Sequence, residues 1–176
     1  KHGYGVFLTM GGGAGLGGLL LLVFTAVLVS RLEAAGAGTV AVRIAASAGS
    51  AWAIMTMFAG LAWISPFVAH VSFSKTPPTA GAFEIMAGLG YGSLTMFGGL
   101  SAAILAATVT SVALRTDLLP RWLAVAGIPA SVLILANPVL PMAVITLWFT
   151  AVTVCLIRRT GTAAHAGVRA SRPVTV

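Results

Sequence analysis

Between Arg121 and Arg158 the chain runs through residues 122–157 without one charged side chain, and three more uncharged runs precede it: Gly3–Ser30, Ile44–Ala69 and Ile85–Leu114. A bilayer's hydrocarbon core is about 30 Å thick and a helix rises about 1.5 Å per residue, so an apolar run of about 20 residues reads as a membrane span. The composition agrees: 59% of residues are hydrophobic, only 7% are charged and the mean hydropathy is +1.04. Soluble domains carry about a quarter charged residues, and this chain has too few to cover a globular surface with polar groups. The expected fold is all-α, a polytopic transmembrane helix bundle.

The runs place five spans, at about 4–30, 44–66, 84–114, 121–137 and 141–158, in one bundle domain, 1–159, followed by a basic tail, 160–176. The first run would be about 42 Å long as a helix. Tyr4 and Phe7 stand at one end as interfacial anchors. Arg31 and Glu33 close it, and residues 34–39 form a glycine-containing turn. Ser65-Pro66 is expected to stop the second span, with Trp63 in the aromatic belt and Trp52 packed between helices. Residues 67–83, with Pro77-Pro78, read as the longest polar connection, after which Glu84 complements the dipole of the third helix in its first turn. The last run would be about 54 Å long, nearly twice a bilayer core, and Asn137, Pro138 and Pro141 break it into a hairpin. Each half is short, so two full spans and a partly re-entrant pair are both open.

Charge then orients the bundle. Arg31 and Arg43 flank the first connection, Arg115 and Arg121 the third, and Arg158, Arg159, Arg169 and Arg172 follow the last span. Five crossings put all of these on one side and leave Lys1 and Lys75 on the other. The positive-inside rule makes the arginine side cytoplasmic, with the N-terminus outside. A chain beginning outside at Lys1 leads us to expect a longer precursor with one more span. The excess of arginine over lysine, with abundant alanine, glycine and valine, suits a high-GC bacterial genome, and the expected location is the bacterial cytoplasmic membrane. The net charge of +7 is therefore topological. It forms no basic face of a soluble fold, so nucleic acid is not an expected partner. Membrane lipids are, with the basic tail resting on anionic headgroups.

Three features together resemble an uncharacterised family of actinobacterial-type multi-pass membrane proteins. They are a span ending in Val29-Ser-Arg-Leu-Glu33, a third span ending in Ala113-Leu-Arg-Thr-Asp-Leu-Leu-Pro-Arg-Trp-Leu123, and a final hairpin ending in Arg158-Arg159. The resemblance covers most of residues 19–159. It implies a fold of six spans and no particular activity.

The glycine-rich stretch of residues 9–18 admits two readings. Gly13, Gly15 and Gly18 have the G-x-G-x-x-G spacing of a dinucleotide loop, with Glu33 where a ribose-binding acid would be sought. No βαβ pattern surrounds them, and a pyrophosphate there would lie in hydrocarbon. The better reading is helix packing through small residues: Gly11, Gly15 and Gly18 on the first span, Ala45, Gly49, Ala53 and Gly60 on the second, and Gly88, Gly92 and Gly99 on the third.

Chemistry-bearing residues are sparse. His70, Ser72, Ser74, Lys75 and Glu84 share one connection without a nucleophile elbow, and no catalytic residue is assigned. Met55, Met57, Met86 and Met96 are ordinary packing residues, His2 and His70 make a weak metal site, and lone Cys155 is a small apolar filler. No cofactor or metal is expected. No acid, histidine or basic residue lies centrally in a span, which speaks against an ion-coupled carrier. The expected function is a non-catalytic accessory subunit of a larger membrane assembly, with a lipid or envelope-component transport complex as a host. Other membrane-protein subunits are the expected partners. The alternative is a small transporter or channel for an uncharged or lipidic solute.

Overall fold

In the computed structural model, which describes residues 3–73, 79–116, 118–136 and 141–170, every regular element is helical. Helix α1 is Gly3–Ala34, α2 Thr39–Phe73 and α3 Ala80–Gly92. A π-helical segment, Ser93–Gly98, joins α3 directly to α4, Gly99–Ala113. Helices α5 (Arg121–Ala136) and α6 (Pro141–Ala170) follow. Three helical stretches are long and apolar enough to cross a membrane: Leu8–Ala34, Thr39–Phe73 and the continuous rod Ala80–Ala113. Two shorter apolar helices, Arg121–Ile134 and Val144–Arg158, accompany them.

Helix α1 ends where the sequence places a glycine able to take a left-handed backbone. Gly36 has φ 78°. Its N–H donates to the Glu33 carbonyl at 2.9 Å, and Ala37 N–H donates to Leu32 O at 3.0 Å. This nested pair satisfies two of the carbonyls a helix end leaves bare. The chain turns within Ala35–Gly38 and starts α2 at Thr39, so Arg43 lies inside a helix expected to begin after it.

Pro66 does not stop α2, contrary to expectation. The helix continues to Phe73, and His70 and Ser72, expected in a polar connection, stand in its last turns. A proline removes the N–H that would bond the carbonyl four residues back. Here that carbonyl is Ala62 O, and the Ser65 hydroxyl donates to it at 3.0 Å. A side-chain hydroxyl replacing the missing donor is what lets a proline sit inside an apolar helix.

Three other boundaries differ. Thr79 caps α3, accepting from Ala82 N–H at 3.3 Å, so the helix starts at Ala80. Glu84 therefore lies beyond the first turn, where the helix dipole has faded. Helix α6 runs on to Ala170, so residues 160–170 of the expected basic tail continue the helix. The Asn137–Leu140 break and the Pro77-Pro78 pair lie outside the described residues.

The core sits between helices rather than in a soluble globule. Leu28, Leu32, Leu105, Val109, Leu123, Ile145 and Val152 are its large, fully buried side chains. Many leucines and valines face outward, Leu20 and Leu147 at 70% exposure. In water such faces would be an aggregation liability, whereas in hydrocarbon they cost nothing.

Candidate functional site

The closest helix pair, α1 with α2, is built on glycine. A Cβ on Gly60 would stand 2.6 Å from Gly11 O and 2.9 Å from Gly15 N, and one on Gly18 would stand 2.8 Å from Ala53 O. A Cβ on Gly11 would meet Gly60 O at 2.8 Å and the Ile64 side chain. One turn or two further in, Gly49 leaves room for the Thr25 side chain, and Ala45 is fully buried. Gly11, Gly18, Gly49 and Gly60 thus meet neighbours within the chain. Gly15 contributes its backbone, since a Cβ added to it would meet nothing within 4 Å.

The third rod uses other glycines than the expected Gly88 and Gly92, whose added Cβ atoms would meet nothing within 4 Å. Gly90 lies under the Trp63 ring, and Gly98 lies under Trp52, where an added Cβ would stand 3.5 Å from Cδ1. Gly99 is buried at the start of α4. The π segment explains the change of face. Gly90 and Gly98 are eight residues apart and would diverge by about 80° on a regular helix. A π turn closes over one extra residue, which returns them to one face and carries Gly99 out of line with Gly92. Trp63, expected in the interfacial belt, instead spans two helices, its indole N–H donating to Ala87 O at 3.4 Å.

The π segment also helps line a lateral groove of about 700 Å³. Gly17, Leu20, Leu21 and Phe24 of α1 contribute to it, with Trp52 and Thr56 of α2, Leu94 of the π segment, and Thr146, Phe149, Thr150 and Thr153 of α6. Phe149 anchors an aromatic cluster there. Its ring lies 5.6 Å from Phe24 edge-on, 5.1 Å from Trp52 and 4.9 Å from Trp148. The threonines do not make the groove polar. The hydroxyls of Thr56, Thr150 and Thr153 donate to the carbonyls of Trp52, Thr146 and Phe149 at 2.9, 2.7 and 2.8 Å. With their protons bonded inside the helix, they present methyl groups and lone pairs. The groove is chemically suited to hydrocarbon or to an apolar helix face.

The other expected residues are dispersed. His70 and Ser72 end α2 and Glu84 lies in α3, while Ser74 and Lys75 are outside the described residues. Among the described residues there is no group of three His, Cys, Asp or Glu side chains that could hold a metal ion. Cys155 is half-buried and free. Arg31, Arg43, Arg115 and Arg121 gather at one end, where the α1–α2 turn and the end of α4 border a common cavity. Arg158 is exposed on α6, and the side chain of Arg159 is outside the described set.

The sequence reading missed Gly127 and Trp148. Gly127 of α5 receives the Thr110 hydroxyl of α4, and a Cβ there would also stand 2.7 Å from the Trp148 ring of α6. Gly127 and Ser131 are four residues apart on α5, with Ala124 and Ala130 three residues either side of Gly127, and this small-residue pattern is the sequence signal that could have found the contact. No family model, no curated protein and no solved structure matches this chain.

Proposed function

We propose that the protein is a non-catalytic accessory subunit of a larger membrane assembly, and that its groove receives the apolar face of a partner's transmembrane helix. It crosses a bacterial cytoplasmic membrane five times, with the N-terminus outside and the arginine-bearing end in the cytoplasm. The arginine distribution supports the orientation. The observation carrying the functional reading is the groove itself. It is open sideways in the middle of apolar helices, has an aromatic floor, and its Thr56, Thr150 and Thr153 hydroxyls are bonded to their own helices. Side chains of an apolar helix can enter without stranding a polar group, and Gly17 leaves the α1 rim low.

A photo-crosslinking residue at Leu20 or Thr150, in native membranes, tests this. The subunit reading expects a discrete protein adduct, stoichiometric co-purification of the same protein in mild detergent, and loss of both on Thr150→Trp, which fills the groove. Adducts to lipid alone would sink it. That outcome would favour the second reading, a carrier for a lipidic solute, which the groove's volume supports because small-molecule sites run from about 300 to 1,000 Å³.

A further inference from the structure

We propose that a second cavity, at the arginine-bearing end, binds the phosphate of an anionic phospholipid and lays one acyl chain along α2. This cavity has a volume of about 480 Å³ and lies between the Gly36–Gly38 turn, the start of α2 and the end of α4. Its chemistry is graded along the helix axes. Arg115 and Thr116 follow the end of α4, Ser111 and Thr108 line the cavity one and two turns back, Thr108 about 10 Å along α4 from Arg115 at the usual rise per residue, and Val40 and Ile44 line it from α2 one turn apart. A charged mouth and an apolar depth fit an amphiphile better than a free ion.

The donor inventory selects an anion. Ser111 Oγ donates to Thr108 O at 2.8 Å, Thr108 Oγ1 to Ile104 O at 2.8 Å, and Thr116 Oγ1 to Val112 O at 2.9 Å. These hydroxyl protons are bonded to carbonyls of α4, so the charged donor left at the mouth is the Arg115 guanidinium, which is exposed. A guanidinium fork matches two phosphate oxygens. Among the described residues lining the cavity none is a carboxylate, so none of them repels an anion. Val40 and Ile44 are both exposed toward the surroundings, which in a bilayer is where an acyl chain already lies. The site is remote from the lateral groove and shares no lining residue with it, so either proposal can fail without the other.

Native mass spectrometry of the full chain in neutral detergent, titrated with phosphatidylglycerol or phosphatidylcholine of equal chain length, provides the test. Phosphatidylglycerol should be retained over phosphatidylcholine. Arg115→Ala should weaken its binding about fivefold, the worth of one basic residue near an anionic surface. Arg121→Ala, at the same end but not among the residues lining the cavity, should leave binding unchanged. Ile44→Trp should also weaken it by filling the apolar depth, and inorganic phosphate should not displace the lipid. Equal retention of the two lipids, or equal losses from Arg115→Ala and Arg121→Ala, overturns the proposal. Displacement by inorganic phosphate with no effect of Ile44→Trp overturns the lipid assignment in favour of a free anion.

Discussion

The indole N–H of Trp148 on α6 donates to the backbone carbonyl of Leu123 on α5 at 2.9 Å, a buried hydrogen bond between consecutive helices that joins residues 25 apart in sequence. The apolar stretches of both helices, Arg121–Ile134 and Val144–Arg158, are the shorter ones. A short helix buries little surface of its own, so a directional bond to its neighbour's backbone counts for more in fixing its height and rotation. Trp148→Phe keeps an aromatic ring against Phe149 and Gly127 but removes the donor. Interhelical hydrogen bonds in membranes are worth about 0.6 kcal/mol on average and rarely above about 1.7. The expected result is a loss of that size, read as a lower thermal midpoint in detergent, with the protein still folded.

The α1–α2 contact gives a sharper contrast. At Gly60 an added side chain would run into the backbone of Gly11 and Gly15, which cannot move aside without parting the helices. Gly60→Leu should therefore abolish the folded bundle, seen as aggregation on size-exclusion chromatography. Gly88→Leu and Gly92→Leu should remain monodisperse, because nothing lies within 4 Å of a Cβ at either position. If Gly88→Leu aggregates as readily as Gly60→Leu, the packing face of the third rod has been misplaced.

How far the sequence could be read follows from these same residues. Uncharged runs located the three long apolar rods and the two shorter apolar helices because charge is excluded from hydrocarbon whatever the packing. The glycines of α1 and α2 could be matched to faces because both helices keep a regular period. On the third rod the fixed 100° step failed at Ser93–Gly98, where the π turn shifts the register by a residue. Local sequence carries no clear mark of such a turn. The stop expected at Pro66 failed for a different reason: Ser65 supplies the missing donor, and that depends on one rotamer. The groove needed the third dimension, since Leu20, Trp52, Leu94 and Phe149 come from four separate elements.

Gly36 tests the turn that shapes the mouth of the arginine-end cavity. Its φ of 78° is open to glycine, while a β-carbon there costs roughly 1–2 kcal/mol. Gly36→Ala should lower stability by about 1 kcal/mol. Gly38→Ala, in the same turn but without a positive φ and with open space around a Cβ, should be neutral or slightly stabilising. Thermal unfolding of the two variants side by side checks both. Equal losses would mean that crowding, rather than backbone conformation, limits the turn.

Thr110 and Gly127 form a coupled pair across α4 and α5. The Thr110 hydroxyl oxygen is buried with no hydrogen-bond partner and is pressed against Gly127, whose missing side chain makes the room for it. An orphaned buried hydroxyl is a cost the fold carries, so Thr110→Ala loses a methyl contact but also relieves a desolvated group, and should change stability little. Gly127→Ala puts a Cβ against both the hydroxyl and the Trp148 ring. Overpacking of this kind typically costs about 1–3 kcal/mol. In the double variant the alanine at 110 vacates the space the new methyl needs, and only the Trp148 contact at 2.7 Å remains to be accommodated. The double variant should therefore be more stable than Gly127→Ala alone, with a favourable interaction of at least about 0.5 kcal/mol in a double-mutant cycle. Strict additivity of the two substitutions would show that Thr110 does not occupy the space at Gly127 and that the α4–α5 contact is made elsewhere.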